Sequence, residues 1–141
     1  MEKTVSTSTE GLRVADVMLS TNRTPAIGER ALFKEALEAM QRHRLGIACI
    51  VSEAGALLGI LTAGDICRML LRDQKPFAAL FADDALVHAT RKPVTISPGD
   101  RLVDAVRVME EKQIWDLPIV ENGRFVGLLH LHPAVKALLG I

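Results

Sequence analysis

Long hydrophobic runs are missing from this sequence. No apolar stretch among the 141 residues approaches the roughly twenty needed to cross a bilayer as a helix. The N-terminus also lacks the charged-then-apolar pattern of a secretory signal, so the expectation is a cytoplasmic protein with no membrane partner. Neither sign of charge is in excess: Lys plus Arg and Asp plus Glu stand at 17 each. That balance argues against nucleic acid as a partner, since neutralising many phosphates takes a basic surplus or a basic face. Cysteine is scarce. Cys49 and Cys67 both fall in apolar elements and read as buried thiols of a reducing compartment, though the sequence leaves a disulfide between them open. Catalytic signatures are missing as well. There is no Gly-x-Ser-x-Gly, no glycine-rich phosphate loop with its lysine, and no Ser/His/acid set in recognisable spacing. No tight cluster of zinc spacing appears either, although His130, His132 and a cysteine offer ligand atoms. The expectation is a protein without a catalytic centre, without a metal and without a required cofactor.

Apolar residues are plentiful. They make up 49% of the chain, enough to build the core of one compact domain or two small ones. Met1–Gly11 is rich in Ser, Thr, Glu and Lys and reads as a loose arm. Leu12–Met18 is a short amphipathic segment, and Thr24-Pro25-Ala26-Ile27 is a brief extended piece, since Pro25 keeps Thr24 out of helical geometry. Leu32, Phe33, Ala36, Leu37 and Met40 recur at helical spacing, with Lys34, Glu35, Glu38 and Arg42 opposite, and Gly46 ends the helix. Ile47–Val51 is a compact apolar strand, Ser52-Glu53-Ala54-Gly55 a hairpin turn, and Leu57–Thr62 the returning strand. Residues 73–84 connect onward, with Pro76 and some helical spacing among Phe77, Leu80 and Phe81.

The pattern then recurs. Lys92-Pro93-Val94-Thr95-Ile96 matches the first extended piece. Leu102, Ala105, Val106 and Met109 repeat Phe33, Ala36, Leu37 and Met40 at a constant offset of 69. Leu117-Pro118-Ile119-Val120 repeats Ala48-Cys49-Ile50-Val51, and Gly127-Leu128-Leu129-His130 repeats Gly59-Ile60-Leu61-Thr62 after a hairpin turn one residue shorter. A last helix follows Pro133. The expected architecture is α/β (α+β): two β-α-β-β-α repeats at residues 12–73 and 85–141, joined by a connector at 74–84. Each half-sheet is too small to close alone, so the repeats are expected to pack about a pseudo-twofold axis.

The polar interest lies where the second strand of repeat one becomes a helix. Thr62 falls at a helix N-cap and Asp65 at the third helical position, beside amides that have no partner within the helix. Two readings stand. The pair is a capping box serving only the backbone, or the helix mouth holds a phosphate or a hydroxyl-rich ligand. Repeat two places His130 and Pro133 at these positions. Proline brings neither carboxylate nor amide but suits the first helical turn. His130 and His132, two apart on an extended run, would share one face, with Lys136 one turn on. His43 and His88 read as solvated, Met40 and Met109 as core, and Trp115 as a residue of a repeat or dimer contact.

The unit order, the Gly-x-x-Thr-x-x-Asp junction of residues 59–65 and Val14-Ala15-Asp16-Val17-Met18 resemble a CBS (cystathionine β-synthase) domain pair, or Bateman module, over about residues 12–141. GILTAGDICR (59–68) and GLLHLHPAVKALLGI (127–141) are similar to the C-terminal CBS pair of arabinose-5-phosphate isomerases. Their sugar-isomerase domain is not in this sequence, so the chain is a free-standing module or a piece of a larger enzyme. The resemblance implies a regulatory module binding a nucleotide (AMP or ATP) or a nucleotide-sugar such as CMP-Kdo in clefts between the repeats, and association as a homodimer. The alternative is a dimerisation scaffold without ligand, for which Ala78–Ala82 and Ala134–Leu139 supply apolar helices. By the same resemblance Asp65 would accept from ribose hydroxyls, Thr62 would hold phosphate, and Thr24, Pro25, Ala26, Ile47 and Ala48 would line the base through backbone groups. A second cleft would involve Pro93, Val94, Thr95, Asp116, Leu117, His130, His132 and Lys136.

Overall fold

The computed structural model describes residues 11–141; the expected arm lies, Gly11 apart, outside them. Thr21–Pro93 and Asn122–Phe125 form one compact unit, and the chain up to Ser20, Val94–Glu121 and Val126–Ile141 form the other. No helix among the described residues is long and apolar enough to cross a membrane.

The first unit holds a three-stranded sheet. β2 (Ala26–Gly28) runs parallel to β3 (Ile47–Val51), which pairs antiparallel with β4 (Leu57–Thr62). Helix α1 (Phe33–His43) joins β2 to β3, α2 (Ala63–Asp73) continues from β4, and α3 (Phe77–Phe81) follows in the connector. Phe33, Ala36 and Met40 of α1 pack with Ala48, Ile50, Leu61, Met69, Leu80 and Ala85. They lie three and four apart because that spacing returns a side chain to the same helical face. α1 stops at Arg44, which adopts the left-handed conformation (φ 55°), two residues before Gly46. Gln113 does the same after α4 (φ 55°).

The second unit repeats the plan. Its sheet runs β1–β6–β5, with β1 at Leu19–Ser20, β5 at Asp116–Glu121 and β6 at Arg124–His130; α4 (Leu102–Lys112) precedes β5 and α5 (Leu131–Leu139) follows β6. The core is Leu102, Ala105, Met109, Leu117, Ile119, Leu129 and Ala134, with Ile96 and Val14. Five of the first unit's core positions (Phe33, Ala36, Met40, Ala48 and Ile50) reappear here at the sequence offset of 69. The expected extended piece at 92–96 is reduced to one parallel bridge, Ile96 with Ile119. The reason is Pro118. In the first unit the Cys49 amide donates to the Pro25 carbonyl at 2.8 Å, and the matching Pro118 has no N–H to donate.

The compact units do not follow chain order. The segment leading into repeat one belongs to the second unit, where Val14 is wholly buried and Leu19–Ser20 pairs with Gly127–Leu128. The segment leading into repeat two belongs to the first unit, where Thr90 exchanges both bonds with Ile60, at 2.9 and 2.7 Å. Each lead-in lies on a glycine. A Cβ on Gly59 would stand 2.9 Å from the Thr90 carbonyl oxygen, and one on Gly127 would collide with that of Leu19. Both glycines are therefore required for close backbone approach.

Three expectations are corrected. Cys67 is exposed on α2, one step off the buried Met69 stripe; Cys49 is buried and no disulfide joins them. His88 is not solvated: its side chain is 5% exposed, lies edge-on to Phe33 and meets Asp83 at 2.9 Å. Lys75 shares that carboxylate at 2.8 Å, and the two partners hold the Asp83 carboxyl below its ordinary range. Finally, the last helix does not follow Pro133 but begins at Leu131, with Pro133 in the first turn that suits it.

Gly127→Ala should cost about 2 kcal/mol through forced displacement of the Leu19 backbone. Gly99→Ala, with nothing within 4 Å of its Cβ, is the control and should change little. Urea unfolding midpoints of the two variants make the comparison.

Candidate functional site

Strand direction gathers the first set of residues. β2 and β3 are parallel and β4 antiparallel, so the starts of β2 and β3 and the end of β4 share one end of the sheet. Ile47 is the register partner of Thr62, and Ala26 that of Cys49, so Thr24-Pro25 comes alongside Ile47-Ala48. All of Thr24, Pro25, Ala26, Ile47, Ala48, Thr62 and Asp65 thus lie at the edge where α2 starts. Their side chains differ in what they offer. Ile47 and Ala48 are buried, and Thr24, 3% exposed, donates its hydroxyl to the Thr21 carbonyl at 2.7 Å. Ala26 is exposed. The side chains of Ile47, Ala48 and Thr24 are thus turned inward, and only their backbone is open to an outside partner.

At the mouth of α2 the capping box forms in full. The Asp65 amide donates to Thr62 Oγ1 and the Thr62 amide to Asp65 Oδ2, each at 3.1 Å. The Ala63 amide donates to the Gly46 carbonyl at 2.9 Å. Gly64 is the remaining first-turn donor, and its amide has no acceptor among the described residues. Thr62 Oγ1 accepts from the Asp65 amide, and its hydroxyl also favours the Asp65 carboxylate. A ligand acceptor would therefore compete with Asp65 for the single hydroxyl proton.

Asp65 is 18% exposed at its side chain. Besides the Thr62 amide it receives the Arg68 guanidinium at 2.7 Å on Oδ1 and the Thr90 hydroxyl at 3.5 Å on Oδ2. Partial burial pushes its carboxyl up. The Thr62 amide, the Arg68 guanidinium and the Thr62 hydroxyl together outweigh that and hold it below the usual carboxylate value. It is ionised at neutral pH, and the stability this confers is present above the unfolded value near ~4 and lost as pH falls through the folded one.

The matching mouth in the second unit carries different chemistry. His130 is the N-cap of α5 and makes no side-chain cap bond. Its Nδ1 turns instead to Asp116 Oδ1 at 2.8 Å, and Asp116 is 7% exposed. When Asp116 is ionised it can only accept, and Nδ1 then carries the proton. Burial pushes the Asp116 carboxyl up, and His130 only partly offsets it. The Leu131 amide donates to the Trp115 carbonyl at 2.9 Å, the counterpart of Ala63 and Gly46. His132 does not share a face with His130. It is exposed within α5, one turn before exposed Lys136. Val94 and Thr95 are exposed beside the Ile96 bridge, Leu117 is buried, and Pro93 falls in the other compact unit. Trp115 is 68% exposed. No group of three or more metal-ligating side chains occurs among the described residues.

Sequence reading missed Arg68 and Thr90. Arg68 was detectable, because an acid and a base three apart on a helix are neighbours. Thr90 was not, since it reaches Asp65 through the bridge between Ile60 and Thr90.

Comparison with known proteins adds three findings. The family pattern of the CBS domain matches residues 14–72 and 83–139. An arabinose 5-phosphate isomerase KdsD from Yersinia pestis is 28% identical over 126 residues, which is 89% of this chain and 37% of that protein. The chain thus spans little more than a third of the length of the curated relatives it matches. Among solved structures, CBSX2 in complex with AMP, a protein of Arabidopsis thaliana, has a TM-score of 0.79 at 21% identity over 92% of this chain and 98% of that one. The CBS domain pair of protein MJ0100, in complex with 5-methylthioadenosine and S-adenosyl-L-methionine, has a TM-score of 0.73 at 22% identity, covering 92% and 97%. At these identities the two structures show the fold.

Thr62→Ala should lower stability by about 1 kcal/mol, the usual worth of a hydroxyl N-cap, seen as a lower urea midpoint at unchanged slope. Asp116→Asn should alter the pH profile. From the unfolded value near ~4 up to the raised folded one, the folded wild type binds more protons than the unfolded chain. Wild-type stability should therefore fall with rising pH relative to the variant across that window. Parallel profiles would contradict the raised carboxyl.

Proposed function

The chain belongs to the CBS-domain family, and on that premise we propose that it is a regulatory module that senses an adenosine nucleotide at the mouth of α2. The observation that carries this is Asp65. It is an ionised, partly buried carboxylate beside the Thr62 hydroxyl and a glycine amide with no acceptor among the described residues. A carboxylate accepts from a ribose diol, while a hydroxyl and a first-turn amide donate to phosphate. Backbone groups of Thr24, Pro25, Ala26, Ile47 and Ala48 supply the wall for the base. The bound AMP of CBSX2 and the adenosyl ligands of MJ0100 support the ligand class.

The second mouth takes a different ligand or none. Pro133 and His130 replace the acid and the hydroxyl, so ribose recognition of the first kind has no counterpart there. Exposed His132 and Lys136, one turn apart on α5, suit an anionic sugar such as that of CMP-Kdo. Likeness to the isomerase supports a role as the regulatory part of a sugar-phosphate isomerase. The ligand acts on such a partner only as far as it prefers one conformational state over another.

The rival reading is a dimerisation scaffold, favoured by exposed Leu71, Phe77 and Leu139. A thermal-shift series with AMP, ATP, CMP and CMP-Kdo separates the two, because a ligand specific for the folded state raises the melting temperature. The nucleotide reading expects a dose-dependent rise with AMP or ATP. Asp65→Ala should weaken that binding by several-fold or more while keeping the melting temperature within about 5 °C of wild type. No response to any ligand, together with a stable dimer by sedimentation, would favour the scaffold.

A further inference from the structure

Asp65 is occupied before any ligand arrives. The Arg68 guanidinium sits 2.7 Å from Oδ1, the carboxylate oxygen not engaged by the Thr62 amide. It also lies across the first turn of α2: a Cβ on Gly64 would stand 3.4 Å from Arg68 Nη1 and 3.6 Å from Nη2. So one side chain holds the carboxylate meant for a diol and lies beside Gly64, whose amide is the donor meant for a phosphate. The hold is light. The Arg68 side chain is 72% exposed, and an exposed i,i+3 pair contributes little beyond what solvent screening leaves.

We infer that Arg68 is a specificity-determining residue, a displaceable stand-in that makes the site discriminate for phosphorylated nucleosides over the bare nucleoside. This rests on the nucleotide reading of the α2 mouth. Oδ2 already accepts from the Thr62 amide and the Thr90 hydroxyl, so a diol is driven onto Oδ1, where it competes with the guanidinium for the lone pairs. With an unphosphorylated nucleoside the displaced cation returns to water, and the lost ion pair counts against binding by up to about fivefold. With a 5′-phosphate it gains a new anionic partner at the same helix turn. Arginine suits the exchange because its planar fork pairs equally with carboxylate and phosphate. The arm needs no backbone motion to make it, since the guanidinium already stands over Gly64.

The test is calorimetric titration of adenosine and AMP into the full chain, for wild type, Arg68→Ala and Arg68→Lys, at one fixed ionic strength. Arg68→Ala should bind adenosine as well as wild type or up to about fivefold tighter. It should bind AMP about tenfold or more weakly, the usual worth of a charge-assisted bond. The preference for AMP therefore falls by at least about tenfold, with Arg68→Lys between the two. Exposure of the side chain means the variants should fold, which a melting curve verifies. Wild-type AMP binding with an unchanged AMP-to-adenosine ratio in Arg68→Ala overturns the role of Arg68 and leaves the nucleotide reading standing. Failure of wild type to bind either ligand defeats both.

Discussion

One carboxylate ties together the elements that matter here. Asp65 accepts from the backbone that ends β4, from the arginine one turn along α2 and from the hydroxyl of Thr90, which arrives from the lead-in of the other repeat. A strand end, a helix start and a chain-distant segment thus converge on two oxygen atoms. Its carboxyl is held below the usual value because the Thr62 amide, the Arg68 guanidinium and the Thr62 hydroxyl together outweigh its partial burial. On the proposed reading, the same donors keep it available as a ligand group. A fully solvated carboxylate would bind a diol weakly, and one sealed by buried partners could not bind it at all.

Duplication built the scaffold and divergence at two positions separated the halves. The core obeys the repeat closely, down to paired left-handed residues at Arg44 and Gln113. The helix mouths do not. Threonine and aspartate in the first unit reach each other through the capping box; histidine and proline in the second cannot. His130 finds its partner across the strands in Asp116, where the first unit has the apolar Ile47. A buried carboxyl in the second unit stands where the first has only hydrocarbon, so the two mouths differ in their chemistry.

Much of this was legible in sequence, for physical reasons that differ by feature. The helices and central strands follow from apolar spacing, because a face that recurs every three to four residues can bury in only one way. Thr62 and Asp65 were legible because capping geometry is local. What failed was non-local or rested on a neighbour's chemistry. The shortened extended piece depends on Pro118, which denies its partner an amide. His88 looks polar in sequence but is covered by Phe33, which lies on a different helix. The start of α5 at Leu131 was hidden because two histidines and a proline carry no helical signal, while Ala134 does. The exchange of lead-in segments, which puts Thr90 beside Asp65, has no local signature.

The most direct measurement is a titration of the ¹⁵N-labelled chain with AMP, followed through its amide resonances. If the first turn of α2 holds the phosphate, the Gly64 and Asp65 amides should shift most, with smaller changes at Ile47, Ala48 and Thr62 and little at Asp116 and Leu131. Saturating AMP that leaves Gly64 and Asp65 unmoved, or shifts concentrated around His130 instead, would contradict a nucleotide site at Asp65.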